Sequence, residues 1–202
     1  MIKYIVNFCF IIFFIALAGC RKEEPITNIF IGDSHIERYD LNYFFPGHNT
    51  QNKGISGENI NDFRLRIPKY FDVNANCFIE IGINDFTSSY GSESSVNTIL
   101  SKYNLLISNI RGRFNKIVFI SVIPVTKAFA SNGKIESIES LFLINRQLKE
   151  MLSLENQMIF VDLSNIIYDT EGYLLFKYSN DGVHLNQQGY QLVTNFIRCH
   201  VE

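Results

Sequence analysis

The chain has 202 residues, room for one domain of ordinary size, and a 47% hydrophobic, 14% aromatic composition that supplies a packed core and excludes a mainly disordered chain. Eighteen Lys and Arg against 20 Asp and Glu give a net charge of −2 without a long basic run, which argues against nucleic acid as a partner because phosphate binding needs clustered cations. His35, His48, His184 and His200 and Cys9, Cys20, Cys77 and Cys199 stand in none of the spacings that zinc ligands use, so neither a metal nor a cofactor is expected.

In chain order the first feature is residues 1–19, with one cation at Lys3, an apolar run from Tyr4 to Ala18 and small residues at its end. This is the layout of an export signal, and the run is shorter than the roughly 20 apolar residues of a membrane span. Leu17-Ala18-Gly19-Cys20 closes the run and resembles the bacterial lipobox. The resemblance implies that residues 1–19 are a signal peptide and that Cys20 is lipidated and becomes the N-terminus. Residues 20–25 would then be a charged tether, and the location the cell envelope, with the protein anchored to a bacterial membrane through its lipid.

Neither a repeat nor a Pro/Gly-rich linker follows Pro25, so residues 26–202 are expected to form one domain. Runs of strand length recur at Asn28–Gly32, Thr50–Ile55, Cys77–Ile83, Lys116–Ile123 and Met158–Leu163, several nearly continuous in Ile, Val and Phe, as parallel strands buried on both faces are. Helical spacing lies between them: Ile60, Phe63, Leu65 and Ile67 before Pro68; Val96 to Ile110; and Leu141 to Leu152. A last helix is expected from Gln187 to about His200, and Tyr168–Tyr178 reads as either a short hairpin or an ordered loop. Such alternation calls for an α/β fold with helices on both faces of a parallel sheet.

Ligands of open parallel sheets sit beyond the carboxyl ends of the strands. There the chain carries Gly32-Asp33-Ser34-His35, Gly54-Ile55-Ser56-Gly57, Gly82-Ile83-Asn84-Asp85 and, before the final helix, Asp181-Gly182-Val183-His184. Each piece alone is an ordinary turn or helix cap. Together, on one edge, they are the parts of an acyl-transfer site: a nucleophile, oxyanion donors, a base and its orienter. Glu80, inside an apolar strand, reads as a paired structural carboxylate. His48 and His200 read as surface residues, while Tyr173 and Phe176 suit a cleft rim or the core equally well.

These blocks, with Asn52-Lys53 before the second and Ile120-Ser121-Val122-Ile123-Pro124 as a fourth strand, resemble the SGNH hydrolases of the GDSL esterase/lipase superfamily over about Ile29 to Tyr190. His35 stands where the family name has Leu. The resemblance implies a flavodoxin-like three-layer α/β/α sandwich with a five-stranded parallel sheet in the order 2-1-3-4-5. It implies Ser34 as nucleophile, His184 as base, Asp181 as its orienter, and Gly57 (or Gly54) with Asn84 as oxyanion donors. Asp33 and Asp85 would tie loops together. The expected reaction is ester hydrolysis, with removal of short acyl groups, acetyl above all, from a carbohydrate or cell-envelope glycan. Lysophospholipid or thioester cleavage, acyl transfer to a sugar and a non-catalytic carbohydrate-binding module are the alternatives. Cys77 and Cys199 are expected as two buried free thiols rather than a disulfide.

Overall fold

The structure, a computed structural model, describes residues 25–86, 96–134 and 138–201. The leader, Cys20 and most of the tether lie outside the described residues, as do residues 87–95 and 135–137. Five strands, β1 (Thr27–Gly32), β2 (Thr50–Gly54), β3 (Asp72–Glu80), β4 (Phe114–Ile120) and β5 (Met158–Val161), pair in parallel in the order β2-β1-β3-β4-β5. The helices used below are α1 (Ser34–Glu37), α2 (Leu41–Phe44), α3 (Ile60–Arg66), α4 (Val96–Ile110), α5 (Ile138–Leu152), α6 (Ser164–Ile167) and α7 (Gln187–Ile197). This is the three-layer α/β/α sandwich the resemblance implied.

Alternation along the central strands divides the core in two, because successive side chains of a strand point to opposite faces. Ile29, Ile31, Cys77, Ile79, Ile117 and Phe119 face α3, α4 and α5. Phe30, Phe78, Val118 and Ile120 face α1, α2, α6 and α7, with the rings of Phe30 and Phe78 stacked at 4.4 Å. On α4, Ile99, Leu100, Tyr103, Leu106, Ile107 and Ile110 are buried, as their spacing predicts. On α3 the spacing misleads at one position. Ile60, Phe63 and Ile67 share a face, whereas Leu65 falls on the opposite side of the helix and is 70% exposed.

The central strands end earlier than their apolar runs suggest. β3 begins at Asp72 rather than Cys77, through an exposed and irregularly paired stretch, and stops at Glu80 rather than Ile83. β4 stops at Ile120 rather than Ile123 because a side chain takes over the backbone beyond it. Asn145 of α5, buried, accepts from the Val122 N–H at 2.9 Å and donates to the Val122 carbonyl at 3.0 Å. Ser121 Oγ accepts from the Leu163 N–H at 3.1 Å, which turns the chain out of β5 in the same way. Tyr168–Tyr178 is an ordered loop: one antiparallel bridge, Tyr168 to Leu174, then a 3-10 turn over Phe176–Tyr178. Cys77 and Cys199 are free, as expected, but only Cys77 is buried. Cys199 lies exposed in the 3-10 turn Arg198–His200 that follows α7.

Candidate active site

Strand β1 delivers Ser34 to the carboxyl edge of the sheet. Asp33 caps α1 by accepting from the His35 N–H at 3.0 Å, so Ser34 is the first helical residue and is 5% exposed. Asn52 ties the far end of α1 down. Its amide nitrogen donates to the carbonyls of Ile36 at 2.6 Å and Tyr39 at 3.0 Å, while its oxygen accepts from the Gly54 N–H at 2.9 Å. Gly54 permits this approach, since a Cβ there would lie 2.1 Å from the Glu37 nitrogen.

Asp181 and His184 lie on the turn before α7. Asp181 Oδ1 accepts from the N–H groups of Val183 at 3.0 Å and His184 at 2.8 Å, which folds the turn around its carboxylate. Asp181 Oδ2 lies 2.7 Å from His184 Nδ1, and His184 Nε2 lies 3.0 Å from Ser34 Oγ. A carboxylate only accepts, so Nδ1 carries the hydrogen and Nε2 is left to accept from the serine hydroxyl. Desolvation works against the Asp181 charge, but the hydrogen bonds from the His184 ring and from the two amides outweigh it. They hold the carboxyl well below its ordinary range, so the acid stays ionised.

Gly57 and Asn84 line the same cavity of about 440 Å³, with Ser34, Asp181 and His184. Gly57 adopts φ +78°, and a Cβ there would meet nothing within 4 Å. Of the two candidate glycines, then, Gly57 borders the cavity and Gly54 packs against α1. Asn84 is oriented by donating from Nδ2 to the Glu58 carbonyl at 2.9 Å. Glu58 in turn is gripped at both oxygens by Arg66, at 2.7 Å through Nε, and Arg66 Nη1 donates to the Lys53 carbonyl at 3.0 Å. This Arg66–Glu58 brace was missed in the sequence, where only the i, i+8 offset links the two residues. Ile83, Val125, Phe129 and Val183 give one side of the cavity an apolar wall.

The remaining candidates divide clearly. Asp85 ties loops together as expected: it is buried, accepts from the Ile60 N–H at 2.9 Å and pairs with Lys102 at 2.7 Å. Glu80 is a paired carboxylate as expected, and its partner is a second acid, the hydrogen-bonded Asp33; burial together with that neighbour raises the Glu80 pKa well above the carboxylate range. Burial likewise pushes Asp33 up to about 7. His35 lies beside them, with Nδ1 3.7 Å from Glu80 Oε2. His48 is exposed as expected. Tyr173 and Phe176 do not border the cavity, and Phe176, 75% exposed, is not in the core either. Among the described residues no three His, Cys, Asp or Glu side chains converge as a metal would require.

The GDSL-like lipase/acylhydrolase family model matches residues 30–192. An N-acylneuraminate cytidylyltransferase of Streptococcus agalactiae is 24% identical over 87% of this chain, which spans only 39% of that longer relative. A solved Streptococcus pneumoniae protein whose name refers to platelet activating factor superposes with a TM-score of 0.76 at 25% identity, covering 93% of this chain and 88% of its own. A GDSL-like lipase of Bacteroides thetaiotaomicron gives 0.74 at 20% identity, covering 87% of both chains. An acetyl xylan esterase of Geobacillus stearothermophilus gives 0.66 at 17%, covering 87% and 94%. The match runs from within β1 into α7 and takes in every motif at the strand ends, and on that ground the chain belongs to the GDSL-like lipase/acylhydrolase family.

Proposed function

We propose that Ser34, His184 and Asp181 form the catalytic triad of an esterase that removes short acyl groups, acetyl above all, from a carbohydrate or cell-envelope carrier. The observation that carries this reading is the unbroken chain Ser34 Oγ, His184 Nε2, His184 Nδ1, Asp181 Oδ2, with links of 3.0 and 2.7 Å, at the wall of the cavity. Ser34 Oγ attacks the ester carbonyl carbon while its proton passes to His184 Nε2. The carbonyl oxygen becomes an oxyanion, received by the N–H groups of Ser34 and Gly57 and by the Asn84 amide. One such donor is worth about 2.7–4 kcal/mol in the barrier. His184 returns the proton to the departing alkoxide as the C–O bond breaks. Water, deprotonated by His184, then cleaves the acyl-serine to release the acid and restore the hydroxyl.

A small acyl group suits a cavity of about 440 Å³ with an apolar wall of Ile83, Val125, Phe129 and Val183. Relatives named for acetyl xylan and for N-acylneuraminate favour a carbohydrate carrier. The lipobox-like Leu17–Cys20 supports lipidation at Cys20 and work on the cell envelope. Labelling of Ser34 by a fluorophosphonate, absent in Ser34→Ala, tests the nucleophile and separates an enzyme from a binding module. Rates on p-nitrophenyl acetate, butyrate, octanoate and palmitate test the acyl preference. A maximum at acetate is expected, whereas one at octanoate or beyond favours lysophospholipid or thioester cleavage.

A further inference from the structure

Beneath the nucleophile, with the acids ionised, three buried polar atoms lack a hydrogen-bond partner: Asp33 Oδ2, His35 Nδ1 and Glu80 Oε2. They belong to one cluster. Asp33 and His35 flank Ser34 in sequence, and Glu80 ends β3 opposite Gly32 of β1. Exposures are 0%, 2% and 1% for Asp33, His35 and Glu80, so solvent does not satisfy them. An unpaired buried polar atom costs about 1–3 kcal/mol, and three together call for a common explanation.

The far side of His35 supplies one. Its Nε2 lies 3.1 Å from the carbonyl oxygen of Val183, inside the Asp181–His184 turn. A carbonyl only accepts, so Nε2 carries the hydrogen. Burial and the nearby His184 lower the His35 pKa to about 4, so the ring is neutral and Nδ1 is a bare acceptor. Nδ1 lies 3.7 Å from Glu80 Oε2, beyond hydrogen-bond distance, whereas the Asp33 and Glu80 carboxyls are hydrogen-bonded to each other and so hold at least one proton between them.

We propose that Asp33 and Glu80 share a buried proton beside His35 Nδ1, and that this proton keeps His35 in the Nε2–H form, clipping the turn of Asp181 and His184 to the helix that bears Ser34. His35 and Glu80 are thus positioning residues, and the idea rests on the triad proposed above. With the proton present, Glu80 or Asp33 is a donor, one acceptor in the cluster gains a partner, and the clip holds. With the proton lost, two charges and a bare ring nitrogen are buried together. The other ionisable groups facing the cluster are Arg38, Glu58, Tyr103, Tyr168, Asp181, His184 and Tyr190. None of them is a buried cation that would balance the lost proton.

The sign of the pH effect follows from the shifts. Asp33, raised to about 7, and Glu80, raised well above 4.5, stabilise the fold at low pH and lose that contribution as pH rises through their folded values. His35, lowered from 6.5 to about 4, works the other way: its contribution is complete above 6.5 and lost as pH falls toward 4. The two trends oppose each other between about 4 and 6.5, and above that range only the loss from the acids remains. Tm should therefore fall as pH rises above 6.5 in the wild-type protein and fall less in Glu80→Gln, which cannot ionise.

Three measurements on the purified protein decide the matter. Nitrogen-15 NMR at pH 7 should find His35 neutral with hydrogen on Nε2; a cation, or hydrogen on Nδ1, overturns the proposal whatever the activity. His35→Leu should lower kcat about tenfold or more with KM changed less than about threefold, since displacing a catalytic group by 1 Å costs up to about a hundredfold. His35→Gln, whose amide nitrogen reaches the place of Nε2, should recover much of that loss. Unchanged kcat in His35→Leu, no rescue by Gln, or parallel Tm profiles for wild type and Glu80→Gln each overturn it. If Ser34→Ala instead retains full activity, the triad fails, and the NMR and Tm results still judge the shared proton by themselves.

Discussion

A serine hydroxyl is a poor nucleophile until a base stands within hydrogen-bond reach, and here that reach is 3.0 Å. Ser34→Ala and His184→Ala are therefore each expected to lower kcat by at least about a thousandfold with Tm little changed, measured by ester hydrolysis and thermal melting. Asp181→Asn should also lower kcat, by up to about ten-thousandfold, because an amide nitrogen facing His184 Nδ1 favours the tautomer whose Nε2 carries the hydrogen. Acid acts at the same residue. The Asp181 carboxyl is depressed in the fold, so its contribution to stability is complete above its ordinary value of 3.8 and lost as pH falls below it. Asp181→Asn should accordingly flatten the loss of Tm below pH 4. The residues of this site were legible in the sequence because catalysis demands particular side chains next to particular turns. The neighbours that hold them were not: Glu80 reads as a paired carboxylate without a named partner, and only the packed β1–β3 register places Asp33 beside it.

At the level of elements, the strand ends depend on single side chains reaching across the sheet. Asn145 of α5 accepts from the Val122 N–H and donates to the Val122 carbonyl, which Tyr168 Oη also bonds at 2.8 Å, so Asn145→Leu leaves the buried Val122 N–H unpaired. A loss of about 1–3 kcal/mol is expected in urea unfolding, with the slope of the transition unchanged. The two glycines after β2 give a second contrast. Gly54→Ala forces a methyl group to within 2.1 Å of the Glu37 nitrogen and should lower both Tm and activity by displacing α1. Gly57→Ala meets open space and bears only the strain of a positive φ, about 1–2 kcal/mol, with its N–H still present. Comparing the two variants by melting and by kcat separates packing from conformation. Periodicity predicted α4 and α5 well because burial on one helix face is a local pattern. It missed the strand ends because an apolar residue such as Val122 or Ile123 stays buried after its backbone has left the ladder.

Over the whole molecule, the two core clusters leave Cys77 at the centre of the sheet and Cys199 on the surface. Burial also pushes the Cys77 thiol up, so it is neither accessible nor ionised. Iodoacetamide applied to the native protein, followed by peptide mass spectrometry, should modify Cys199 and spare Cys77 until denaturant unfolds the domain. Early modification of Cys77 would mean that α4 opens from the sheet without global unfolding.

The amino-acid sequence by itself determined the class of fold, the alternation of strand and helix, and the four blocks that carry Ser34, Gly57, Asn84, Asp181 and His184. These follow from local properties: apolar periodicity, turn-forming residues, and side chains whose chemistry is intrinsic. Tertiary structure alone decided which glycine borders the cavity, how Arg66 and Glu58 brace Asn84, and that Asp33, His35 and Glu80 meet beneath the nucleophile. Those contacts join residues from different strands and loops, and their energies depend on burial and on distance in space, to which spacing along the chain gives no access.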